Sequence, residues 1–238
     1  MDMKVCLQLY SLAKHGVKGL EELLKQSSEI GYDGVELLKH DNSAEETVKL
    51  LKKYGLYAPS AHIGKEYLEK NFNEILEFHK KIGAEYVIIP WESYEDNKLR
   101  ETIDFLNKAS VEAKSYGLKV GYHNHSHEFK KIDGKYIIDH LFENTNEDVV
   151  FELDVYWIYK GGEDPIKYIE KFGKRVQLVH LKQSNSEKEN VDFPDGILDM
   201  KKIIEAAKYA NHFIVEQETY KISPFVSCKA DVDYLKSI

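Results

Sequence analysis

Short apolar runs alternate with longer stretches of helical spacing along the whole chain. Residues 4–10 (KVCLQLY) read as a strand, after which Leu20, Leu23, Leu24, Ser27 and Ile30 form a helical stripe stopped by Gly31. Residues 33–38 (DGVELL) give a second strand, and Ser43 caps a helix carrying Val48 and Leu51 that Gly55 ends. A third strand at 56–62 (LYAPSAH) precedes the stripe Leu68, Phe72, Ile75, Leu76, His79 and Ile82, closed by Gly83. Residues 86–90 (YVIIP) form a continuous apolar run, the mark of a parallel strand covered on both faces.

The second half keeps the rhythm. Leu99, Ile103, Leu106, Ser110 and Ala113 mark a helix that Gly117 closes, residues 118–123 (LKVGYH) a fifth strand and 137–142 a short helix. Strands follow at 149–154 (VVFELD), 176–181 (VQLVHL) and 213–216 (FIVE), with helices near 164–172, 199–209 and 225–236. Eight β–α units without a linker-like segment predict a parallel sheet closed on itself. The fold class is a single (β/α)₈ TIM barrel in one domain over residues 1–238. No G-x-G-x-x-G or P-loop follows any strand, which weighs against a nucleotide-binding sheet.

Composition narrows the partners. The chain has 238 residues, 42% hydrophobic and 12% aromatic, enough for one sizeable core. Its 33 basic and 41 acidic residues leave a net charge of −8, so neither nucleic acid nor an anionic membrane is an expected partner. Two cysteines, Cys6 and Cys228, argue against a disulfide framework and a thiolate zinc site. No signal peptide or membrane-length apolar run is visible, so a cytoplasmic protein is expected, with homo-oligomerisation left open.

The informative positions are the ends of the apolar runs. Glu36, His62, His123, Asp154, His180 and Glu216 each finish a strand-like segment. In a parallel barrel these ends point into the mouth where active sites are built. Neighbouring strands lie about 4.8 Å apart, so Asp154, His180 and Glu216 can converge on one point. Two carboxylates and an imidazole suit a hard or borderline divalent ion such as Mn²⁺, Mg²⁺, Co²⁺ or Zn²⁺. The rival reading is a hydrogen-bonded polar layer without metal. Strand alternation puts His123 and His125 on one face, where either can complete a metal shell or move protons. Glu128 lies just beyond and competes with His123 for both roles. His127 reads as an exposed loop residue, His79 and His140 as helix-surface or core-edge residues, and His212 as a residue of the opposite face. His15 and His40 fall in mouth-side loops without an assignable partner.

Together, Leu9-Tyr10-Ser11, Gly31-Tyr32-Asp33-Gly34-Val35-Glu36, Tyr122-His123-Asn124-His125 with Glu128-Phe129, Leu153-Asp154, Val179-His180-Leu181-Lys182 and Val215-Glu216-Gln217 resemble the sugar phosphate isomerase/epimerase family of xylose isomerase-like TIM barrels. The resemblance runs the length of the chain, including Ser223-Pro224-Phe225. It implies one divalent metal held by His123, Asp154, His180 and Glu216, and a small polyhydroxylated substrate. The related ketose 3-epimerases use a Glu, Asp, His, Glu set, so His123 stands where the first glutamate is expected. Trp157 stands where a histidine is expected, and Gln183-Ser184-Asn185-Ser186 where an arginine is expected.

The implied activity is metal-dependent sugar isomerisation or epimerisation through a stabilised enediolate. The alternative is a dehydratase or lyase of the inosose dehydratase or 3-keto-glycoside type, to which the His-x-His strand ending is closer. Expected catalytic groups are His123, Glu128 and Glu216. Glu36, His62, Trp91, His125, Trp157 and Lys182 are expected to bind substrate, Lys182 with an equal claim as a structural partner for a carboxylate. A non-catalytic sugar-binding barrel stays open. An endonuclease IV-like repair enzyme would need three zinc ions and a basic face, which this chain does not offer.

Overall fold

Eight parallel strands close into a barrel in sequence order: β1 (Val5–Gln8), β2 (Gly34–Leu38), β3 (Tyr57–His62), β4 (Tyr86–Ile89), β5 (Lys119–His123), β6 (Val150–Asp154), β7 (Val176–Leu181) and β8 (His212–Val215), with β8 pairing back to β1. The computed structural model describes residues 4–39, 41–95 and 98–238. The barrel helices include Leu20–Ile30, Ala44–Tyr54, Phe72–Ile82, Lys98–Ala113, Ile137–Asn144, Pro165–Phe172, Met200–Ala206 and Pro224–Ser237. Among the described residues no helix is long and apolar enough to cross a membrane.

Local signals explain most boundaries. Ser43 accepts the Glu46 backbone N–H at 3.2 Å while the Glu46 carboxylate accepts the Ser43 N–H at 3.0 Å, a reciprocal cap that starts the second-unit helix, Ala44–Tyr54. Gly31 and Gly55 end their helices at φ of 108° and 68°, a left-handed turn open to glycine at little cost. In that helix Thr47 and Leu51 face the core, whereas Val48, expected on the stripe, is exposed.

Some elements differ from the expectation. The first strand ends at Gln8, because residues Tyr10–Ala13 turn into a short helix whose first N–H donates to the Gln8 side chain at 3.0 Å. The stripe from Leu68 to Ile82 divides at Asn71 into Lys65–Lys70 and Phe72–Ile82. An extra helix, Val155–Lys160, follows β6, and small hairpins form at Lys131–Ile132 with Lys135–Tyr136 and at Gln183–Ser184 with Asn190–Val191.

Two cores result from strand alternation. One face of each strand joins the large apolar cluster beneath the helices, for example Leu7, Val35, Val87, Val120, Phe151, Val179 and Val215. A second cluster of Cys6, Tyr86, Ile88, Val150, Leu178 and Ile214 plugs the lower barrel. Burial of each aliphatic side chain in such layers stabilises by about 1.5–3 kcal/mol. Gly121 completes this floor on β5: a Cβ there would lie 2.6 Å from Val150 and 2.8 Å from Ile88, so only glycine fits. Two residues further along the floor-forming strands, Cys6, Gly121, Val150, Leu178 and Ile214 give way to Gln8, His123, Glu152, His180 and Glu216. The same inward face thus changes from apolar to ionisable towards the mouth.

Candidate metal centre

Above the floor, His123, Asp154, His180 and Glu216 each offer a ligand atom within 4.8 Å of the others'. Their strands β5 to β8 are consecutive neighbours, and Asp154 pairs in register with His180. Asp154 caps the following helix through Oδ1, which accepts the Trp157 N–H at 2.9 Å. Its Oδ2 is therefore left pointing elsewhere, 3.6 Å from His123 Nε2 and 3.9 Å from His180 Nδ1. His180 Nδ1 lies 3.7 Å from Glu216 Oε2.

These separations are too long for hydrogen bonds. They approach the edge of about 3.4 Å of a tetrahedron with ~2.1 Å bonds. Asp154 Oδ2, His123 Nε2 and His180 Nδ1 are all buried without a hydrogen-bond partner. Such atoms are costly to leave unpaired, and three around one point fit a cation. The other imidazole nitrogens fix the ring orientations. His123 Nδ1 donates to the Pro90 carbonyl at 3.2 Å and His180 Nε2 to Glu36 at 2.8 Å, which turns His123 Nε2 and His180 Nδ1 towards the shared point.

A second group, Glu36, His62, Glu152 and His180, lies beside the first and shares its histidine. Its spacings are those of hydrogen bonds. His62 Nε2 is 2.6 Å from Glu152 and 3.0 Å from Glu36, and Gln8 Nε2 donates to Glu36 at 2.5 Å. Burial, and then the neighbouring Glu36 carboxylate, push Glu152 well above the ordinary carboxylate range. Burial acts the same way on Glu36, but His62 and His180 outweigh it and hold it down to about 2. For His180 the cost of burial is overcome by Glu152 and Glu36, which raise it. One group is held by protons; the other is spaced for an ion.

A cavity of about 480 Å³ opens over the centre, lined by Tyr10, His62, Trp91, His125, Trp157 and Glu216 among others. His123 also reaches it, and its ring packs edge-on against His125 at 5.0 Å. Burial and then His123 lower the His125 pKa to about 2, so that imidazole is neutral. Burial opposes ionisation of Glu216 as well, yet Lys182 and His180 hold it well below the ordinary range.

Other expected residues lie elsewhere. Glu36 is fully buried beneath the cavity rather than lining it. Lys182 is also fully buried; its ammonium donates to Glu216 at 3.3 Å and to Glu218, and it borders an adjoining cavity instead. Glu128 does not fold over the mouth. Its oxygens accept the Tyr122 hydroxyl at 2.6 Å and the His125 N–H at 2.8 Å, bracing the loop after β5. His127 is half-buried rather than exposed, its ring bonded to the Glu92 carbonyl at 2.9 Å. His79 is buried in its helix, His140 bonds the Ile132 carbonyl, and His212 meets Glu85 at the N-terminal end of the barrel. His15 bonds the Glu218 carbonyl at 3.2 Å, whereas His40 lies outside the described residues. Glu152 and Glu218 were not anticipated. Glu152 is concealed inside an apolar run, although its even spacing from Asp154 places both on one strand face.

The barrel has relatives. Residues 24–238 match the family model described as a xylose isomerase-like TIM barrel. The chain is 24% identical over 212 residues to the inosose dehydratase of Geobacillus kaustophilus, spanning 75% of this chain and 68% of that protein. Its fold superimposes on a sugar phosphate isomerase/epimerase from Parabacteroides distasonis with a TM-score of 0.84, 24% identity and coverage of 98% and 97%. It also superimposes on the IolI protein, solved with a bound zinc atom, with a TM-score of 0.75, 15% identity and coverage of 99% and 98%. With the family match running from the helix of the first unit to the last residue, the chain belongs to the xylose isomerase-like TIM barrel family.

Proposed function

We propose that this chain is a metal-dependent enzyme that removes a proton beside the carbonyl of a small polyhydroxylated ketone and eliminates water from the adjoining carbons. The observation that carries the metal dependence is the convergence of three unpartnered buried atoms, on His123, Asp154 and His180, beside the Glu216 carboxylate. A divalent ion held by these four residues would polarise the carbonyl and acidify the neighbouring C–H.

The remaining work falls to side chains. Glu216 borders the cavity and is kept ionised, so its free oxygen accepts the substrate proton. It then returns that proton to the departing hydroxyl, so one C–H and one C–O bond break, a C=C bond forms and water leaves. His125, half-buried and neutral, offers a hydrogen bond to a substrate oxygen, and Trp91 and Trp157 provide flat walls for the ring. Elimination is favoured over 3-epimerisation because His123 replaces one of the two carboxylates that would act on opposite faces. The curated relative from Geobacillus kaustophilus, named for inosose dehydration, supports the same branch.

A second reading, isomerisation or epimerisation, is favoured by one feature. Glu216 and His125 approach the cavity from β8 and β5, three strands apart, so proton removal and return from different sides is geometrically open. The metal-loaded protein incubated with an inosose and with ketohexoses in D₂O, followed by mass spectrometry, separates the two. Elimination gives a product lighter by one water; isomerisation gives deuterium exchange with no water lost. Unchanged substrate throughout, with no exchange, contradicts both.

A further inference from the structure

Beside the mouth lies a second cavity of about 500 Å³, bordered by Lys14, Lys160, Lys182, Lys188, Glu189 and Glu218. Four ammonium groups against two carboxylates is an unusual local balance in a chain of net charge −8. The charges are not evenly matched. Lys182 is taken by Glu216 and Glu218, and Lys14 pairs with Glu218 at 2.8 Å. Among the ion pairs of the described residues none involves Lys160 or Lys188. Lys160 Nζ donates instead to the Tyr156 hydroxyl at 2.9 Å, and Lys188 Nζ reaches the Lys160 carbonyl at 3.5 Å.

The positions are also informative. Lys160 follows β6 and Lys188 follows β7, both on the side where the strands end. Trp157 and Glu218 line both cavities, so a ligand seated at the metal centre needs only to extend past Trp157 to meet the two unmatched ammonium groups. A neutral polyol would give these ammonium groups no countercharge, whereas an anion would, and an excess of one sign of charge in a cleft concentrates the opposite sign.

We infer that this adjoining cavity is an anion subsite, which seats the carboxylate or phosphate-ester end of a substrate whose reacting carbon lies at the metal centre. The inference rests on the mouth being the reacting site, but it is tested by affinity without turnover, so the two can fail separately. Calorimetric titration of the metal-loaded full chain with sulfate, at fixed ionic strength, is compared with the double variant Lys160→Gln/Lys188→Gln. Saturable binding by the unmodified protein is expected, with affinity reduced about tenfold in the variant, given that each exposed charge contributes a fraction of the binding energy. Metal affinity and thermal stability should be unchanged. A parallel titration with acetate identifies the source: tighter sulfate than acetate points to a phosphate ester, equal or tighter acetate to a carboxylate. Equal sulfate affinity in both proteins, or no saturable binding of either anion, overturns the subsite.

Discussion

His180 donates from Nε2 to Glu36 at 2.8 Å, while its Nδ1, 3.7 Å from Glu216 and 3.9 Å from Asp154, has no hydrogen-bond partner. One imidazole thus joins a proton-bonded layer to a group spaced for a cation. Glu36 engages Nε2 and so decides that Nδ1 is the nitrogen facing the centre.

Weakening that acceptor should therefore weaken the metal site without touching a ligand. Glu36→Gln keeps an oxygen for His180 but removes the charge. Partners of metal-bound histidines typically contribute 10–100-fold in affinity. A loss of about tenfold or more is expected in a competition titration with a metal indicator, with the circular dichroism spectrum unchanged. Affinity equal to that of the unmodified protein would show that Glu36 does not position His180.

Lys182 is predicted to matter for stability as well as chemistry. Its ammonium is fully buried between Glu216 and Glu218, and these carboxylates together with Asp154 keep it charged against the cost of burial. Removing one member of a buried pair typically costs about 3–5 kcal/mol. Lys182→Met should lower the unfolding free energy by about 3 kcal/mol in chemical denaturation. A loss under about 1 kcal/mol would mean that water replaces the ammonium easily.

Far from the mouth, Asp231 gives a pH test of folding. Burial pushes its carboxyl well above the ordinary value; the hydrogen bond from the Phe193 N–H, 2.7 Å long, opposes this, and nearby Asp192 adds to it. The folded chain then holds a proton that the unfolded chain releases near pH 4. Its contribution to stability is fullest below that pH and is lost as pH rises towards the folded pKa. Asp231→Asn removes this dependence. Relative to the unmodified protein, the variant should gain stability between pH 4.5 and 7.5 in thermal melts; a constant or shrinking difference would contradict the assignment.

The barrel was legible because its signals are local and repeated. Apolar strands and helical stripes recur along the chain and glycine stops close each of the first four units, so most boundaries fall within a residue or two of their expected places. The helix Val155–Lys160 was not, since its aromatic run lacks a polar face and its start depends on Asp154 capping Trp157. At the site, strand-end position was enough to bring out His123, Asp154, His180 and Glu216. It could not separate rim from interior: Glu36 looks like His62 in sequence, yet its strand leaves it a layer deeper. Nor could spacing show that Glu128 turns inward to Tyr122, because that contact depends on how the loop after β5 folds. Lysines from the segments after β1, β6 and β7 carry no shared motif, so their convergence emerges only in three dimensions.

The most direct test of the metal centre is elemental analysis of protein equilibrated with a divalent ion and desalted, for the unmodified chain and for Asp154→Ala and Glu216→Ala. One tightly held ion per chain is expected, lost from both variants while their circular dichroism spectra stay the same. Folded variants that retain the ion at full stoichiometry would contradict the assignment of these residues as its ligands.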